Sequence, residues 1–157
     1  MRKYLAVVSV FFAIAVLSLS TGCNRRPEGL PALSPVTITV QCDGKPVPGV
    51  GILVTPTEDK FNFIFTATTD ENGVAKPGTN HAGKIYSGVP QGKMAVSADK
   101  GITLGSGDEA HIVPMIASAS PTELEVSASG AEMTIQIEAI EDYQDLIYEQ
   151  KPQMDEE

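Results

Sequence analysis

The sequence predicts an all-β fold, a single antiparallel β-sandwich of about seven strands. Three observations carry that expectation. Apolar residues recur at every second position in a series of short runs, clusters of Gly, Pro, Asn and Asp separate the runs, and no helical stretch lies between them. A period of two is what a strand needs to bury one face and wet the other.

The first run is VTITVQC, in which Val36, Ile38, Val40 and Cys42 alternate with Thr37, Thr39 and Gln41. Asp43-Gly44, Pro46 and Pro48-Gly49 follow as a dense set of turn formers, and VGILVTP then aligns Val50, Ile52 and Val54. FNFIFTATT is the third strand, with Phe61, Phe63 and Phe65 on one side, and Asp70-Glu71-Asn72-Gly73 closes it as a hairpin turn. From Val74 to Ser87 the pattern is weak. PQGKMAVSA aligns Met94, Val96 and Ala98. After the glycines at 101, 105 and 107, HIVPMI reads as an edge strand, because Pro114 has no N–H for a central ladder. TELEVSA turns Leu124 and Val126 inward and Glu123 and Glu125 outward, and EMTIQIEA does the same with Met133, Ile135 and Ile137.

Ahead of the strands lies a leader of different character. Arg2 and Lys3 precede Tyr4–Leu19, sixteen residues without a charge, and Ser20, Thr21 and Gly22 are small. That order is basic, apolar, then small, as in a secretory signal, and the apolar run is shorter than the roughly 20 residues of a membrane-crossing helix. The expected organisation is a signal peptide over 1–22, a modified N-terminus and flexible tether over 23–35, the sandwich over 36–138, and an acidic tail over 139–157. Pro27, Pro31 and Pro35 mark the tether. Loss of residues 1–22 removes two basic residues and no acids, which leaves 135 residues with nine bases against twenty acids, a net charge of −11. Such a surface excludes nucleic acid as a partner.

Cys23 follows the small triplet directly, and here the sequence resembles bacterial lipoproteins, whose lipobox is a leucine, two small residues and the cysteine that is lipidated. Thr21-Gly22-Cys23 matches; Ser20 stands where leucine is usual, with Leu19 one step earlier. The resemblance implies lipidation of the Cys23 thiol, cleavage before it, and membrane lipid as a partner, with more than one acyl chain making the anchor stable. Asn24 is not the aspartate that holds many such proteins at an inner membrane. An exported, lipid-anchored envelope location follows, at the outer membrane where there are two, with Arg25 and Arg26 near the headgroups. The alternative for Cys23 is a disulfide with Cys42, the only other cysteine. Cys42 falls on the core side of its strand, as a small buried hydrophobe does.

DGKPVPGVGILVTP, TTDENGVA and GVPQGKMAVSA resemble the three signature segments of carboxypeptidase regulatory-like domains. This group has a transthyretin-like, immunoglobulin-like sandwich and recurs in small bacterial lipoproteins. The resemblance covers about residues 35–138 and departs from the pattern at Met94, where tyrosine is usual, and at NHAGKIYSG, an insertion in place of a compact strand. Enzymes on similar sandwiches use a C-terminal Tyr-Arg-Gly-Ser signature or a His-x-His iron pair, and this chain has neither. Adhesin domains with an internal isopeptide bond need a lysine on the first strand and an asparagine or aspartate on the last. VTITV has no lysine and TIQIEAI no asparagine.

No catalytic residue and no cofactor or metal ligand is therefore expected. His81 and His111 stand thirty residues apart, each without a neighbouring Cys or His, and no G-x-S-x-G elbow occurs. The Asp70 loop and Gly107-Asp108-Glu109 lack the alternating acids of a full calcium loop, so Asp70 reads as a turn former whose side chain bonds local backbone; whether calcium binds stays open. Ile140, Tyr143, Leu146 and Ile147 space like one face of a short helix, which caps the sandwich, stays disordered or docks a partner. The expected function is a membrane-anchored, non-catalytic module of the envelope, structural or binding an unidentified protein or glycan. The competing reading is a small secreted hydrolase or metal-dependent protein using the His81 loop.

Overall fold

The computed structural model describes residues 27–58, 63–105, 110–117 and 121–150. The chain divides into two units, residues 1–30 and 31–157. Of the first, the described part is a turn at 27–30 closed by the Leu30 N–H on the Pro27 carbonyl at 3.2 Å. Cys23 and the whole leader lie outside the described residues, as do Phe61 and Gly107-Asp108-Glu109.

The second unit contains fourteen short strands among its described residues. They are β1 Leu33–Ser34, β2 Val36–Cys42, β3 Lys45–Pro46, β4 Gly51–Pro56, β5 Phe65–Thr68, β6 Val74–Ala75 and β7 Gly78–His81, then β8 Lys84–Ser87, β9 Val89–Pro90, β10 Gly92–Asp99, β11 Gly101–Leu104, β12 His111–Pro114, β13 Thr122–Val126 and β14 Ala131–Gln136. One sheet is six-stranded and antiparallel in the order β13-β10-β4-β5-β7-β8. The other runs β14-β2-β3, with β6 also on β2. Two small ribbons, β1-β9 and β11-β12, flank them.

The alternation in the sequence is the alternation in space. Along β2, Val36, Ile38, Val40 and Cys42 are buried and the residues between them half-buried. Ile52 and Val54 of β4, Phe65 of β5, Met94 and Val96 of β10, and Leu124 and Val126 of β13 face them in one continuous core, which Ile135 and Ile137 complete. Two sheets, each apolar on its inner side, thus form the predicted β-sandwich. Each fully buried aliphatic or aromatic side chain here contributes about 1.5–3 kcal/mol of transfer free energy.

The hairpins follow turn chemistry. Asp43 and Gly44 (φ 52° and 75°) join β2 to β3, and Ala82 and Gly83 (φ 50° and 78°) join β7 to β8. Positive φ at both central residues is the type I′ geometry, whose twist matches that of paired strands. The second hairpin accounts for NHAGKIYSG. It was hidden because its pattern is inverted: Thr79 is the buried residue and Ile85 points to solvent.

Other expectations are corrected. The Asp70–Gly73 turn is not a hairpin; it carries the chain from β5 in one sheet to β6 in the other. Gly73, at φ 69°, accepts the Val40 N–H on its carbonyl at 2.8 Å, which ties the turn to β2 rather than back to β5. The sandwich is antiparallel except at β14 and β2, which pair in parallel over Ala131–Gln136 and Val36–Gln41. A period of two reports which face is buried and is blind to strand direction. Leu33 and Ser34, in the segment read as tether, pair with Pro90 and Val89. HIVP is paired with β11 alone, as an edge position requires.

The acidic tail forms two single 3-10 turns, Glu141–Tyr143 and Leu146–Tyr148, in place of a short α-helix. The backbone is extended on both sides of the pair, at Ile140 (ψ 139°) and Glu149 (ψ 140°), while Gln144 and Asp145 between the turns keep right-handed helical dihedrals. Ile147 is fully buried in the core and Tyr148 packs against it, so this segment closes one end of the sandwich.

Candidate functional site

The most concentrated polar chemistry in the described structure lies where the tail crosses the end of the sandwich. Lys100 follows β10, and the inward series Met94, Val96, Ala98 continues through it to Ile102. A lysine therefore occupies a core position and is 4% exposed. Its Nζ donates to the carbonyl oxygens of Pro48, Ile147 and Glu149, each at 2.6 Å. Three N–H donors meet three acceptors, the condition under which a buried ammonium is tolerable. Burial still lowers its pKa from 10.5 to about 8, against the opposing charge of Glu149.

Around this clamp the tail is held by backbone-directed contacts. The Tyr148 hydroxyl donates to the Cys42 carbonyl at 3.2 Å, and Lys45 Nζ stands 5.6 Å from the centre of the Tyr148 ring. Burial pushes the Tyr148 phenol above its usual pKa, and its contacts with Cys42 and the charge of Asp43 act in the same direction. Gly49, at φ 69°, lies so close to the Gln150 carbonyl that no side chain fits between them.

The motif segments converge on the same end. Thr69, buried, donates its hydroxyl to the Val47 carbonyl at 2.8 Å and accepts the Val50 N–H at 2.9 Å. Its backbone adds the pair Gly49 N–H to Thr69 carbonyl and Thr69 N–H to Val50 carbonyl. Asp70 accepts the N–H groups of Asn72 and Val74 on one carboxylate oxygen, at 2.9 and 3.0 Å, as the turn-former reading expected. Gly73 presses on the Val40 carbonyl and the Val47 N–H, at 2.7 and 2.9 Å from where a Cβ would stand. Threonine, aspartate and glycine of TTDENG thus each splice a turn to a neighbouring strand.

The histidines are placed apart in the topology. His81 ends β7, with its ring 6.5 Å from that of Tyr86, and His111 opens β12 in the small ribbon opposite Leu104. Neither lines any of three clefts on the surface of the described residues. These are an opening of about 260 Å³ beside Pro56, Gly92 and Glu125, one of about 460 Å³ between the β2-β3 turn and the tail, and one of about 450 Å³ on the outer face near Thr66 and Ile85. The second is lined by Cys42, Asp43, Lys45, Glu138, Asp145 and Tyr148 among others. Among the described residues, no group of three or more His, Cys, Asp or Glu is set to hold a metal ion. Cys42 is a free, buried thiol. No helix among the described residues is long and apolar enough to cross a membrane.

Sequence reasoning missed Lys100, although the signal was present: the period of two from Met94 lands on it. No protein-family model matches the chain, and no curated protein matches it in sequence. Among solved structures it is similar to the major pilin subunit of Bacillus cereus, at 16% identity and a TM-score of 0.46 over 69% of this chain. The match spans 30% of the pilin's length. It is also similar to a proposed carbohydrate-binding protein of Pseudomonas aeruginosa, at 10% identity and a TM-score of 0.38, covering 69% of this chain and 89% of that one.

Proposed function

We propose that this chain is a lipid-anchored, extracytoplasmic lipoprotein carrying a non-catalytic β-sandwich of the carboxypeptidase regulatory-like kind, serving as a structural or protein- or glycan-binding module of the cell envelope. One observation carries the non-catalytic part. The buried polar groups Lys100, Thr69 and Thr79 all spend their hydrogen bonds on backbone carbonyls and N–H groups of the fold. Catalysis instead asks for a titratable group aimed at an open cleft. The residues of the motif segments support the same reading, since what they do is join turns to strands.

The anchor rests on the sequence alone, on Thr21-Gly22-Cys23 after an uncharged run of sixteen residues. Its test is intact mass and membrane partition of the protein made in a lipoprotein-competent bacterium, beside a Cys23→Ala version. A chain cut before Cys23, heavier by its acyl groups and pelleting with membranes, with the variant doing neither, is the expected result. Two soluble chains starting at another cut site would sink the anchor and leave a protein secreted free.

A further inference from the structure

The contacts that hold the tail are of a kind that can be made or lost together. Residues 146–150 touch the sandwich through the fully buried Ile147, the Tyr148 hydroxyl on the Cys42 carbonyl with Lys45 Nζ beside its ring, the carbonyls of Ile147 and Glu149 on Lys100 Nζ, and the close approach of the Gln150 carbonyl to Gly49. A long hydrogen bond from Gln150 Nε2 to the Thr69 carbonyl, at 3.5 Å, adds to these. The segment joins no strand, and its single 3-10 turn is closed by the Glu149 N–H on the Leu146 carbonyl at 3.1 Å. The chain before it is fixed independently. Ile137 N–H bonds the Gln41 carbonyl, Ala117 N–H the Glu138 carbonyl, and Ile140 N–H the Met115 carbonyl. Between the two regions lie Gln144 and Asp145, both exposed. An anchored base, an exposed joint and a short strap with one apolar plug are the parts of a local opening unit, and segments with few buried contacts open well below the global unfolding free energy.

We propose that residues 146–150 are a detachable latch, with Lys100 as its keeper, and that opening it uncovers the Cys42 thiol and the end of the core. Lys100 suits a keeper because it belongs to the sandwich while two of its three acceptors belong to the strap. With the strap down and the amino group gone, the Pro48, Ile147 and Glu149 carbonyls lack a donor; with the strap up, water supplies one. Cys42 suits a reporter because it is buried, free, and lines the same cleft as Tyr148.

The test is thiol labelling of the full chain under native conditions, read at the Cys42 peptide by mass spectrometry so that Cys23 does not interfere. In the wild type, Cys42 labels through an opening nearly independent of denaturant at low concentration, and the amides of 146–150 exchange faster than those of Val40 and Val54. Lys100→Met raises the Cys42 labelling rate by roughly tenfold or more, the equivalent of one lost hydrogen bond to a charged donor. Circular dichroism meanwhile still reports a folded sandwich. Should Lys100→Met fail to fold, Tyr148→Phe serves, with a rise of roughly threefold or more for the loss of a neutral bond. Labelling that tracks global unfolding in the wild type, or that is unmoved in a folded variant, overturns the latch.

Discussion

Lys100 donates from its Nζ to the carbonyl oxygen of Ile147 at 2.6 Å, across 47 residues of chain. The bond joins the end of a central strand to a tail whose composition alone suggests a solvated acidic segment. It is one of three from the same nitrogen, and together they make a lysine part of the core of a β-sandwich.

Stability depends on pH through this residue in a direction that follows from its pKa. The unfolded chain holds its lysines near 10.5, and the folded chain holds Lys100 near 8. Between those values the unfolded state binds more protons, so the Lys100 contribution to stability grows as pH rises from about 8 to about 10.5 and is lost as pH falls back through 8. Deprotonation leaves two N–H donors on the nitrogen for the three carbonyls, so at least one strap carbonyl keeps its donor. Thermal denaturation of the wild type against Lys100→Met, at pH 7 and at pH 10, shows the difference between the two proteins widening at the higher pH. A constant or shrinking difference contradicts the assignment.

Thr69 is the second test, because its hydroxyl is both donor to Val47 and acceptor from Val50. Thr69→Val keeps the shape and leaves a buried carbonyl and a buried N–H without that partner, at a cost of about 1–3 kcal/mol. Thr69→Ser retains the bonds and loses less. Urea unfolding midpoints of the three proteins should therefore fall in the order wild type, serine, valine.

Two glycines with positive φ separate backbone strain from space. Gly44, at φ 75°, has nothing within 4 Å of where a Cβ would stand, so Gly44→Ala costs the left-handed strain of about 1–2 kcal/mol and no more. Gly73→Ala adds a clash with the Val40 carbonyl and the Val47 N–H, which are backbone and cannot turn aside. The melting temperature of Gly73→Ala should lie several degrees below that of Gly44→Ala. Equal losses would mean that the turn at Gly73 is not pressed against β2.

By itself the sequence determined the inward face of nearly every long strand, since burying one side of a pleated chain forces a period of two, and Val36 to Cys42 or Met94 to Ala98 display it without ambiguity. It also marked the Asp43-Gly44 turn, because few residues tolerate positive φ. The Ala82-Gly83 hairpin was harder to read, with a buried threonine and an exposed isoleucine on its strands. Which strands meet, and in which direction, was decided only in three dimensions. The parallel union of β2 and β14, the crossing of the chain between sheets at Asp70–Gly73, and the capture of the tail by Lys100 all join residues far apart in the chain or in different sheets. Local pattern records what each segment must bury. It holds no record of the distant backbone carbonyls that a buried lysine will need.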